Sequence, residues 1–142
     1  MNTGKTVYIR PSRLRRVGAY VYELLPLAAV LYGAAFLALP LTGGEAVGAG
    51  NPWFQFYLLV CVKGYFLVTW RYGGQTLAMR AWRLHALNAD GTPMSWRQAI
   101  VRFWVAVLGW VPAGLGHLWM LVDRQHRTWH DRLARTVVLQ RE

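Results

Sequence analysis

Two lone charges lie inside long apolar runs: Glu23 within residues 17–41 and Lys63 within residues 53–70. A carboxylate or ammonium in hydrocarbon is costly, so such a group faces protein or water and carries a partner. Arg16 precedes Glu23 by seven residues, which puts both on one helix face about 10 Å apart. Lys63 stands eight residues before Arg71, about 12 Å along a helix. On antiparallel helices Glu23 and Lys63 therefore fall at one depth. They are expected to face each other, or to share a polar site with Arg102, the one charge in a third apolar run at 99–122. Two chemistries follow. Carboxylates inside spans mark proton or cation paths, and an ion pair between helices fixes their register. Lys63 has a third option, reaching its ammonium toward the interface.

The other chemistry-bearing residues say less. His126 and His130 are four apart and would share a helix face, but the zinc-protease glutamate and a third ligand are missing. His117 lies in the third apolar run and His85 in a strand-like piece, so surface or headgroup contacts are expected and no metal. Asp123 and Asp131 sit among arginines and read as tail salt bridges at the membrane surface. Gly73-Gly74 follows a span and reads as a turn. No Ser/His/Asp order, phosphate-cradling glycine loop or paired carboxylates stand out, so the chain reads as a non-enzyme without a cofactor.

These residues need elements to hold them. The 142-residue chain is 55% hydrophobic, which suits one membrane domain covering 1–142. Eight Trp and seven Tyr gather near the ends of the apolar runs (Trp53, Trp70, Tyr72, Trp96, Trp129), as an interfacial belt would. The net charge of +10 would suggest nucleic acid in a soluble protein. Here the basic residues flank apolar segments, so anionic lipid headgroups and a cytoplasmic orientation are expected, and no nucleic acid. Cys61 is the single cysteine, which excludes a disulfide within the chain and suits a small buried hydrophobe. Arg15-Arg16 before an apolar run resembles a signal peptide. The run is too long and is interrupted by Glu23 and Pro26, so a retained anchor is expected.

The expected order starts with a basic arm at 1–16, mobile in its first half, and a first span at 17–42. Pro26 bends that span, and small residues four apart (Ala29 and Gly33, Ala34 and Ala38) permit close helix approach. A second span covers 53–70, followed by a cytoplasmic loop at 71–97 in which Ser95 caps a helix starting at Trp96. A broken apolar segment covers 98–122, and a basic cytoplasmic tail covers 123–142. Val111-Pro112-Ala113-Gly114-Leu115-Gly116 supplies the break. Basic residues after 122 argue against a third crossing. So do the strand-like pieces near 82–87 and 135–140, each the other's most obvious partner. The alternative is a kinked single span with the tail outside. The fold class is thus an all-α membrane protein with two transmembrane helices, a broken or re-entrant third apolar segment and a small cytoplasmic β-hairpin-like element.

Four stretches carry a resemblance to a known family. They are Arg16-Val17-Gly18-Ala19-Tyr20-Val21-Tyr22-Glu23; Gly74-Gln75-Thr76-Leu77-Ala78-Met79-Arg80 with Leu84-His85-Ala86-Leu87 and Asp90-Gly91-Thr92-Pro93; Gln98-Ala99-Ile100-Val101-Arg102; and the run from Asp123 through His130-Asp131 to Thr136-Val137-Val138. Over nearly its whole length the chain resembles RDD family integral membrane proteins. In that family an aspartate stands where this chain has Glu23. The resemblance implies a bacterial inner-membrane protein and Arg16, Glu23, Arg102, Asp123 and Asp131 as family-like positions. It also implies transport roles proposed for some members, including cation/proton exchange. Lys63 lies outside that pattern.

Two spans and a dip bury little surface, so a homo-oligomer or docking onto other membrane subunits is expected. The chain is read as an accessory or assembly subunit, or scaffold, of a larger membrane complex with both termini cytoplasmic. The alternative is an oligomeric cation or proton transporter using Glu23, Lys63 and Arg102.

Overall fold

The structure is a computed structural model that describes residues 7–142. The start of the basic arm, expected to be mobile, lies outside the described residues. Helix α1 runs Arg13–Tyr22 and α2 runs Leu24–Ala38. Ser12 caps α1 by accepting from the Arg15 amide at 3.4 Å. Pro26 has no N–H to offer the carbonyl of Tyr22 and its ring crowds that carbonyl. The helix therefore loses regularity at Glu23, between α1 and α2, without changing direction sharply. The two form one candidate span, Arg13–Thr42, ended by Pro40 and by Gly43 at φ 68°.

Helix α3, Pro52–Val68, starts on Asn51, whose side chain accepts from the Trp53 and Phe54 amides. It continues as a wide turn over Thr69–Gly73, giving a second candidate span, Pro52–Gly73. Tyr57 donates to the carbonyl of Ala34 at 3.0 Å and ties α3 to α2. Of the small residues expected to bring helices together, only Ala34 is buried; a Cβ on Gly33 would meet nothing. Cys61 is half-buried and free.

Helix α4 is Leu77–Ala81 and helix α5 is Trp96–Trp110. Ser95 and Gln98 close a reciprocal capping box at the start of α5. The chain then breaks at residues 111–114, where Pro112 ends the ladder and Ala113 and Gly114 take φ 52° and 78°. It returns as α6, Leu115–Leu118, and a tight turn over Trp119–Leu121, bent 111° from α5. This is the expected broken apolar segment. The bend is tight enough that a Cβ on Gly116 would stand 2.7 Å from Gly109 Cα and 3.0 Å from the Trp129 ring. Backbone cannot yield as a flexible side chain can. Gly116→Ala is therefore expected to cost about 1–3 kcal/mol, seen as a lower thermal midpoint in a fixed detergent.

Helix α7, Trp129–Leu133, follows a second capping box, between Thr128 and Asp131. The strands are β1 (Tyr8–Ile9), β2 (Leu84–Asn88) and β3 (Thr136–Arg141), in the order β1-β3-β2 and all antiparallel. The expected pairing of β2 with β3 is present, with His85 opposite Leu139 and Ala86 opposite Val138. The sheet has a third strand that no alternation in the basic arm announced, with Tyr8 opposite Arg141. The core lies where the spans meet the sheet, built from Ala19, Trp70, Met79, Leu84, Ala86, Met94, Ala99, Phe103 and Val138. Trp70, expected in the interfacial belt, is buried there instead. Much of the remaining apolar surface of α2 and α3 is exposed, Tyr32, Phe36 and Trp53 strongly so, as suits contact with lipid or another subunit.

Candidate functional site

Three helices bring one charge each to a single buried point. Asp131 on α7 accepts from Arg16 of α1 on one carboxylate oxygen and from Arg102 of α5 on the other. The Thr128 amide adds a third bond to Asp131 at 3.1 Å, and Arg102 also donates to the Thr136 hydroxyl at 2.8 Å. The Arg102 guanidinium lies over the Trp70 ring, 5.0 Å from its centroid. Arg16, Arg102 and Asp131 are all at most 3% exposed. Burial alone would push the Asp131 carboxyl up, yet the two guanidiniums hold it well below the usual carboxylate range. Two cations against one anion leave the cluster with a single positive charge.

That charge acts on the neighbours. His130, beside Asp131 on α7, is 3% exposed, and burial followed by the field of Arg102 pushes its imidazole well below its ordinary 6.5. It is neutral at pH 7, with the Tyr20 hydroxyl 3.3 Å from Nε2. The His117 ring lies against it at a tilt of 51°, with centroids 5.1 Å apart. An imidazole with a lowered folded pKa supports stability above its unfolded pKa and loses that support as pH falls from about 6.5. His130→Gln is therefore expected to flatten the fall in stability between about pH 6.5 and 5 by up to about 1.4 kcal/mol per unit. Thermal midpoints across that range would show it.

The predicted pairing of Glu23 with Lys63 is not formed. Glu23, 9% exposed, accepts from the Tyr65 hydroxyl at 3.0 Å and the Thr76 hydroxyl at 2.5 Å. The Lys63 ammonium lies instead over the Trp104 ring of α5, 5.4 Å from its centroid. Counting residues along the helix does not give the direction in which Lys63 points. Residues two apart on a helix do not share a face, and the face of α3 turned toward Glu23 carries Tyr65. Nor does either charge share the site of Arg102.

Asp123 sits apart. It accepts from Arg132, which is 47% exposed, and from the Arg127 amide at 2.9 Å. Those bonds, the amide first, hold its carboxyl below the usual range. The tail salt bridge expected at Asp123 is of the weak, half-solvated kind. The same expectation for Asp131 is corrected, since that carboxylate is wholly buried. His126 and His130 do not share a helix: α7 begins at Trp129, and His126 sits at φ 53° in a turn, accepting from Arg13 at 3.0 Å. Among the described residues no group of three His, Cys, Asp or Glu converges in a way that could hold a metal ion.

Sequence reasoning missed Tyr20, Tyr65, Thr76, Thr128 and Thr136. Two had a readable signal. Tyr20 lies four residues after Arg16, and Thr128-Trp129-His130-Asp131 has the spacing of a capping box. The others reach the charges only through the fold.

The profile of the RDD family matches residues 10–135, which include every member of the buried cluster except Thr136. The chain belongs to the RDD family. No curated protein and no solved structure matches it. In this RDD chain Arg16, Arg102 and Asp131 form one cluster, whereas Glu23 and Asp123 occupy separate polar sites.

Proposed function

We propose that this RDD membrane protein acts as a non-catalytic accessory or assembly subunit of a larger complex in the bacterial inner membrane. One observation carries the reading: Asp131 is closed by Arg16 and Arg102 and sealed from solvent, so these charges bind helices together and line no open path. The broad aromatic and aliphatic surface of α2 and α3 suits other membrane subunits or further copies of the chain. Cytoplasmic placement of both ends draws support from the sheet. Strands from the arm, the middle loop and the tail pair with one another, as segments on one side of a bilayer would. The arginines of those three segments favour the cytoplasm.

A second reading, cation or proton transport by an oligomer, is favoured by Glu23. This buried carboxylate is held by two hydroxyls, and no ion pair involves it among the described residues. Liposomes carrying the purified protein, an imposed cation gradient and a pH-sensitive dye separate the two readings. We expect no flux, and a partner that co-purifies in gentle detergent at fixed stoichiometry. Gradient dissipation abolished by Glu23→Gln would replace the first reading with the second.

A further inference from the structure

Away from the buried cluster, a cavity of about 360 Å³ opens at the free end of the sheet, lined by Gln75, Arg80, Arg83, His85, Arg141 and Glu142. Four separate stretches build it. Gln75 follows the turn that ends the second span, Arg80 is in the last turn of α4, Arg83 and His85 enter β2, and Arg141 ends β3. The Arg141 amide donates to the Arg83 carbonyl at 3.0 Å, which fixes the two stretches to each other. Arg83 holds φ 56°, a left-handed conformation that side chains with a Cβ rarely adopt.

The charges in this cavity are unbalanced. Three guanidiniums face the side chain of Glu142, and none of these four side chains is in an ion pair among the described residues. The two arginines of the buried cluster are each paired with Asp131; these three have no such partner among the described residues. Two further polar atoms are buried without a partner, His85 Nδ1 and Gln75 Oε1. Amide oxygen and nitrogen interchange by a flip, so Gln75 can present a donor to the cavity as readily as an acceptor. Burial and the nearby Arg141 push the His85 imidazole down, so its approach to the cavity is that of a neutral hydrogen-bonding ring.

We propose that this cavity is an anion site for a phosphate group, gripped by Arg80, Arg83 and Arg141 and oriented by His85 and Gln75. Planar guanidinium forks match the oxygens of phosphate in pairs, which lysine or a lone charge does not do. The group has two sources. Gln75 stands two residues beyond the end of the second span, so a phospholipid headgroup can reach the cavity from the interface, and a soluble phosphate can reach it from water.

The test uses the full chain purified in an uncharged detergent. In one arm, inorganic phosphate is titrated against it by calorimetry. In the other, native mass spectrometry counts phosphatidylglycerol against phosphatidylcholine retained from mixed micelles. We expect wild type to bind at least one probe. Arg80→Gln/Arg141→Gln should weaken that binding at least about tenfold, in line with the loss of charge-assisted hydrogen bonds. Arg97→Gln/Arg135→Gln removes the same charge elsewhere, Arg135 being at the opposite end of β3, and should change binding less than about twofold. Binding of phosphate assigns a soluble ligand; retention of phosphatidylglycerol alone assigns a headgroup. Equal weakening by the two double variants, or no binding of either probe by wild type, overturns the site. Should the first double variant unfold, Arg80→Gln alone, on the exposed face of a short helix, carries the same comparison.

Discussion

Asp131→Asn is expected to be the most damaging single substitution in this protein. The amide keeps the shape of the carboxylate but removes the only anion between Arg16 and Arg102. Two guanidiniums at most 3% exposed would then face each other uncompensated. Breaking a buried pair by removing one partner costs about 3–5 kcal/mol, and here one substitution breaks two pairs. The Thr128 capping box also weakens, because the Asp131 side chain accepts from the Thr128 amide. The expected outcome is loss of most folded protein from detergent extracts, measured as the monodisperse fraction in size-exclusion chromatography. The pH dependence supplies a second readout. The Asp131 carboxyl is held well below its unfolded value, so its contribution is fully present above about pH 4. It is lost only as pH falls through the lowered folded value. In wild type the Asp131 contribution should therefore persist to about pH 4, beneath the earlier loss due to His130, and Asp131→Asn should be damaged already at neutral pH.

Arg102→Met should follow closely. It removes the bond to Asp131, the bond to Thr136 at 2.8 Å and the contact with the Trp70 ring. Arg16 and the Thr128 amide still hold Asp131, so the expected loss is about 3 kcal/mol, at the lower end of the range for a broken buried pair. The informative contrast is the triple variant Arg16→Met/Arg102→Met/Asp131→Leu. Replacing an entire buried charge cluster by apolar groups of similar volume is often neutral or stabilising. If the cluster serves to bind the helices, the triple variant should recover most of the stability that either single variant loses. A triple variant that folds as well as wild type yet no longer retains the native partner would place the cluster in recognition as well. Thermal midpoints of all three proteins in one detergent make the comparison.

Much of the architecture was readable along the chain, because its causes are local. Pro26 interrupts the first span, Ser95 caps α5, and Pro112 with Gly114 breaks the third apolar segment. Each of these acts through the backbone within a few residues of itself. The β-branched run at Thr136-Val137-Val138 likewise announced β3 and its partner β2. Strand β1 was not readable: two residues paired at the edge leave no alternation in the sequence to detect.

The site divides along the same line. The sequence by itself determined that charges would lie inside apolar segments, and their spacing along each helix followed from a rise of about 1.5 Å per residue. Only the tertiary structure decided which of them meet. Lys63 turned away because helix rotation put Tyr65 on the face toward Glu23. Asp131, read as a surface residue among arginines, became the centre of the cluster once α7 folded back between α1 and α5. Spacing along a helix is a one-dimensional property that counting gives. Which face points where, and which distant segment arrives to fill it, depends on packing between elements as far apart as Arg16 and Asp131, and no local pattern encodes it.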